Sequence, residues 1–166
     1  LAIWNGKANG ERPVLDDADQ LIDIRQLSDE DKLHAILRFS ALPGGSRHHW
    51  GSDVDVFDAA AVSSDYQVQL TSAEVSSGGV FSALHDWLDG EIAAGNSCGF
   101  YRPYECDRGG VAAERWHLSF QPLAVECEKA LTPALLATVL EAADLRLKDK
   151  LLALLPEIYS RYILAL

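Results

Sequence analysis

Ser46-Arg47-His48-His49-Trp50-Gly51-Ser52-Asp53-Val54-Asp55 joins a turn to a strand, and the rest of the chain is read outward from it. From Asp53 the run Asp-Val-Asp-Val-Phe alternates with period two. This predicts a short strand over 53–57, with acids on one face and valines on the other. Gly51 tolerates a positive φ and suits a turn that folds His48 back over the strand start. The turn is required, because seven residues separate His48 from Asp55 and no helix face brings residues at that spacing side by side.

Upstream, 1–8 reads as a helix ending at Asn9-Gly10, and 11–27 as an irregular connection. Ser28 is placed to cap a helix whose first turn holds Asp29, Glu30 and Asp31, acids that suit the positive end of the dipole. Leu33, Ile36 and Leu37, continuing toward Ser40, make its apolar face, and Leu42-Pro43-Gly44-Gly45 ends it. Downstream, the Ser-rich stretch 63–79 reads as a long surface loop flanking the motif. A helix is expected over 80–94, with Val80, Leu84, Trp87, Leu88 and Ile92 at helical spacing. Strands are expected at 99–101 and 115–120, joined by a loop around Asp107-Arg108-Gly109-Gly110. From Thr132 onward the pattern is helical, broken near 145–148 and at Pro156, which a first helical turn tolerates. The expected class is α+β: a small, mostly antiparallel sheet flanked by helices, with 1–166 as one domain.

Composition narrows the partners. Apolar residues are 48% and charged ones 23%, which is globular composition and argues against disorder. A formal net charge of -11 disfavours nucleic acid and anionic membranes, since counterion release would oppose binding. No apolar run reaches the length of a membrane span. The three cysteines, Cys98, Cys106 and Cys127, follow no metal-binding spacing. Buried free thiols are expected, with a single Cys98–Cys106 bridge as the alternative. The chain starts at Leu1 and contains no methionine, so an upstream segment is expected to have been lost.

A second stretch, Glu114-Arg115-Trp116-His117, completes a chemical pattern. In a strand starting near Trp116, His117 and Ser119 share one face while Trp116, Leu118 and Phe120 share the other. With the apolar face in the core, His117 projects outward at the site. Glu114 falls in the bend after Gly109-Gly110, beside a bound ion instead of ligating it. Two imidazoles and a carboxylate, His48, His117 and Asp55, form a three-ligand set for zinc that leaves a fourth position open, as catalytic sites do. Zinc in such a site brings the pKa of bound water to about 7, and Glu114 is then a general base beside it. Asp53 is expected to orient a ligand or fix the turn. His34 and His85 are read as structural.

The pattern Ser46-x-His48-x-x-Gly51-x-Asp53-x-Asp55, followed by Glu114-x-x-His117, resembles the zinc D-alanyl-D-alanine carboxypeptidases. That family includes the vancomycin-resistance D,D-carboxypeptidases and dipeptidases, and shares its metal site with hedgehog domains and lysostaphin-type peptidases. The motif-bearing region, 43–119, covers nearly half the chain. The resemblance implies Zn2+ held by His48, Asp55 and His117, Glu114 as the catalytic base, and Ser46 near the substrate's terminal carboxylate. It implies a peptidoglycan stem peptide, or another D-Ala-D-Ala-ending peptide, as substrate, and the periplasm or cell envelope as the location. Family members also use an arginine upstream of the first motif. Its context would fall just before Leu1, and Arg25 and Arg38 stand in the wrong context for it.

Three functional readings remain open at this level. The first is a D-alanyl-D-alanine carboxypeptidase. The second is a dipeptidase or cross-link endopeptidase, with the 63–79 loop as a candidate wall that decides between them. The third is a zinc-binding module of the same fold without turnover.

Overall fold

The computed structural model describes residues 1–18 and 20–164, and its class is the expected α+β. Helix α1 spans Ala2–Ala8 and ends where Gly10 takes a φ of 74°. Helix α2 spans Asp29–Phe39; the Ser28 side chain accepts a hydrogen bond from the Asp31 backbone N–H, and Leu33, Ile36 and Leu37 are buried. Both elements follow the local signals that announce them.

Three short strands form one antiparallel sheet: β1 Asp53–Asp55, β2 Phe100–Tyr101 and β3 His117–Phe120, in the order β1-β3-β2. The register sets Asp53 opposite Ser119 and Asp55 opposite His117, while Tyr101 lies opposite Ser119 from the other side. Directly opposed residues project to the same side of a sheet. One face therefore carries Tyr101, Ser119, Asp53, His117 and Asp55. The other carries Val54, Leu118, Phe100 and Phe120, the two phenylalanine rings lying 5.3 Å apart between centroids.

On β1 burial does not follow hydropathy: Asp53 is buried, while Val54 and Asp55 are both exposed. Val54 is 46% exposed, whereas Asp53 is 5% exposed and Ser119 fully buried. His117, expected to project outward from an apolar core, is itself 3% exposed. The polar face turns inward because the turn before β1 and helix α5, Gln121–Ala130, close over it and supply the partners its polar groups need.

The main apolar core lies elsewhere. Helices α6 (Pro133–Ala142), α7 (Lys148–Ala153) and α8 (Leu155–Ile158) pack with α1 and α2 around Trp4, Leu33, Ile36, Leu136, Leu140 and Ile158. Pro156 sits in the first turn of α8, as expected. A π-helical turn, Tyr159–Ile163, follows.

Three expectations need correction. Helix α4, Ser82–Ala93, forms where expected, but its fully buried side chain is His85; Val80 and Trp87 are 39% and 59% exposed. The loop over 63–79 contains a short helix, α3 (Ser72–Val75), closed by a capping box between Thr71 and Glu74. The cysteines are free, but Cys98 and Cys106 are exposed and Cys127 half-buried.

Candidate metal centre

Four residues before β1, Arg47–Trp50, form a 3-10 turn that ends at Gly51 with φ 72°. That left-handed residue reverses the chain and carries the His48 ring over β1, as Gly51 in the sequence requires. The His48 Nδ1 lies 3.2 Å from the Asp53 carbonyl oxygen. A carbonyl only accepts, so this contact selects the tautomer with the proton on Nδ1 and leaves Nε2 free. The free Nε2 stands 3.5 Å from Asp55 Oδ2.

His117 is arranged the other way round. Its Nε2 donates to Asp53 Oδ2 at 2.8 Å, and its Nδ1 faces Asp55 Oδ1 and Glu114 Oε2, each at 3.4 Å. The two imidazoles are 4.6 Å apart between centroids. One nitrogen from each ring and one Asp55 oxygen all lie within 4.8 Å of one another. This is the donor set a zinc ion takes, with the second nitrogen of each ring already held by an oxygen. Burial pushes the His117 pKa down, but the bond to Asp53 and the neighbouring Glu114 carboxylate outweigh it and raise it to about 9. The field at this spot favours positive charge.

Asp53 is the hub beneath the site. Its Oδ2 accepts from His117 and from Arg47 Nε at 2.8 Å, while its Oδ1 accepts from Ser52 Oγ at 2.6 Å and Ser119 Oγ at 2.9 Å. Burial works against the charge, yet the bonds from His117, Ser52 and Arg47, with the guanidinium's charge, hold the carboxyl well below the usual range. The expectation that Asp53 orients a ligand corresponds to this contact with His117. Arg47 was missed in the sequence. Its one available signal was that two acids on a strand face, if buried, need a cation close by in the chain.

The site opens into a cleft of about 440 Å3, a volume suited to a small ligand. Ser46, Glu114 and Tyr104 line it, together with the segment Gln69–Ser72 of the Ser-rich loop. That loop is thus a wall of the cleft, as its position in the sequence suggested. Glu74, 7% exposed, pins it by accepting from the Tyr66 hydroxyl and from the backbone N–H groups of Gln69 and Thr71. Between them Leu70 is held at φ 54°, a conformation that costs energy for a residue with a Cβ. Tyr104 and His117 pack edge to face, with centroids 5.1 Å apart, and nothing in the Tyr104 sequence context announced it. Among the described residues, Arg47 is the one arginine or lysine lining the cleft, and its side chain is 1% exposed. Arg38 instead binds Asp17, Asp107 and the Gly110 carbonyl, holding the loop that leads to Glu114.

Comparison with known proteins gives the geometry a context. A family model described as VanY: D-alanyl-D-alanine carboxypeptidase matches residues 2–123. An uncharacterized protein of Haemophilus influenzae is 29% identical over 122 residues, covering 74% of this chain and 92% of that protein. A second uncharacterized Haemophilus influenzae match is 58% identical over 40 residues, 24% of this chain and 27% of the relative. No solved structure matches.

Proposed function

The chain belongs to the VanY D-alanyl-D-alanine carboxypeptidase family, and on that premise we propose that it is a zinc-dependent peptidase. Its substrate in this reading is a peptidoglycan stem peptide cut at D-alanine, most simply by removal of the terminal residue. The observation that carries the proposal is the convergence of His48, Asp55 and His117 within 4.8 Å, with Glu114 beside them. The donors fit zinc: two imidazole nitrogens left free by hydrogen bonds at their other ring positions, and one carboxylate oxygen. A zinc ion held there supplies a Lewis acid that polarises a scissile carbonyl and makes water acidic enough to ionise near neutral pH.

The chain's own residues do the rest. Glu114, on the cleft side of His117, accepts the proton of the attacking water and passes it to the departing amine. Asp53 keeps the His117 Nδ1 turned toward the ligand position. Ser46 lines the same cleft and is assigned to the substrate's carboxyl end. The wall formed by Gln69–Ser72 limits how much peptide extends past the cut bond. The substrate's location makes the periplasm or cell envelope the site of action in this reading.

A second reading, a cross-link endopeptidase, is favoured by one observation. Among the described residues, the cleft's one guanidinium is committed to Asp53 and Glu128, so a free substrate carboxylate finds no accessible arginine there.

The test is release of D-alanine from a D-Ala-D-Ala-ending peptide, alongside cleavage of a cross-linked dimer, with and without a chelator. Zinc-dependent release that falls about 10²- to 10⁴-fold in Glu114→Gln, at unchanged zinc content, supports the base assignment. A wild type that holds zinc stoichiometrically but cuts neither substrate indicates the binding module instead. A wild type that holds no zinc ends the metallopeptidase reading.

A further inference from the structure

We propose that Arg47, braced by Glu128 of α5, is a positioning residue that fixes Asp53 and through it the ligand geometry of His117. The proposal rests on the zinc reading above. The chain of contacts is continuous. His117 Nε2 and Arg47 Nε both reach Asp53 Oδ2 at 2.8 Å, so one oxygen is shared by the imidazole and the guanidinium. Arg47 Nη2 donates to Ser119 Oγ at 2.9 Å and to the Tyr101 hydroxyl at 2.8 Å. Its Nη1 donates to Glu128 Oε1 at 2.6 Å. The Tyr101 hydroxyl in turn donates to the same Glu128 oxygen at 3.3 Å. Trp50 covers the guanidinium face, 4.5 Å from its ring centroid.

This arrangement exceeds what charge balance at Asp53 requires. A carboxylate with four donors is held in one plane, and a planar guanidinium bonded on every nitrogen holds that plane against the rest of the fold. His117 sits on a three-stranded sheet whose β1 has three residues, too short to fix a ring by packing alone. Rotation of Asp53 would release the imidazole, because Nε2 is its one anchored nitrogen. Partners of a ligating histidine contribute roughly 10- to 100-fold to metal affinity in other metal sites. Glu128 lies beyond the 2–123 span that the family model matches, so part of this support comes from outside the matched region.

The experiment measures zinc dissociation constants by chelator competition, and visible absorption of the Co2+-loaded protein. It uses full-length wild type, Arg47→Lys, Glu128→Gln and Glu126→Gln. Glu126 sits on the same helix in an exposed pair with Lys129 and controls for helix charge. Expected are a roughly 10- to 100-fold rise for Arg47→Lys, a smaller rise above twofold for Glu128→Gln, and no change for Glu126→Gln. The Co2+ spectrum should alter in the first two variants and keep its wild-type form in Glu126→Gln. If Arg47→Lys does not fold, Glu128→Gln decides alone. Zinc affinity and Co2+ spectrum in Glu128→Gln indistinguishable from wild type overturn the proposal. Failure of the zinc reading itself looks different, as a wild type that binds no zinc.

Discussion

In the helical half of the molecule, side chains from Trp4 to Ile163 meet in a core that needs few polar partners. Across the sheet's inner face, Arg47, Asp53, His117 and Ser119 are buried just as deeply and are bonded to one another, with the His117 Nδ1 left facing the ligand position. The first kind of burial is non-directional and scales with apolar area. The second is directional: its members are held only while all of them are present, since each removal strands a buried charge or donor. A core of the first kind absorbs small changes. A network of the second kind holds ligand atoms at set distances but responds steeply to loss of one part.

Substitutions that separate the two regions should differ accordingly. Arg47→Met strands Asp53 and Glu128 and should cost about 3–5 kcal/mol in urea unfolding of the metal-free protein. A cost under about 1 kcal/mol would show that the network is not cooperative.

His85 tests polar burial away from the site. Its ring is fully buried with both nitrogens unpartnered, and Arg102, Arg115, Asp89 and Asp86 supply the charges around it. Burial first, then the two arginines, lower its pKa from 6.5 to about 4. Between those values the unfolded chain binds a proton that the folded one does not, so stability rises with pH across the window. Stability should fall by at most about 3 kcal/mol as pH drops from 6.5 to 4, and His85→Phe should remove that slope. An unchanged slope in the variant would break the assignment.

Gly51→Ala sharpens the comparison at the turn. No atom would crowd the added Cβ, so its cost is that of the left-handed backbone alone, about 1–2 kcal/mol by unfolding. In the helical core, Ile36→Val should cost the least, about 0.5–1.5 kcal/mol, and leave zinc binding untouched. A loss of zinc affinity in Ile36→Val would mean that the two regions are coupled.

Legibility in the sequence followed the same division. Helix α2 was readable because a Ser cap, first-turn acids and a 3.6-period stripe agreed. Helix α5 was not read: its start has no side-chain cap, Leu123 is 45% exposed and Ala124 is its sole buried residue, so no stripe exists to see. In α4 a stripe was visible but misleading, since the fold buries the His85 side and leaves Trp87 59% exposed. His48, Asp55, His117 and Glu114 were legible as a spaced pattern of chemical types, and the structure brings them together. Arg47, Glu128 and Tyr104 were not, because their partners lie 6 to 81 residues away and no local period marks them.

From the amino-acid order alone came the bounds of α1 and α2, the reversal at Gly51 and the alternation that puts Asp53 and Asp55 on one side of a strand. These depend on backbone sterics and on periods of two or 3.6, which act between near neighbours. Which side of that strand turns inward was decided only in three dimensions. Hydropathy would bury Val54, but a guanidinium and a hydroxyl from the preceding turn meet an imidazole and a second hydroxyl from distant β3 on Asp53 and satisfy it. A buried charge is stable only when such partners assemble, and their assembly is a property of the folded chain.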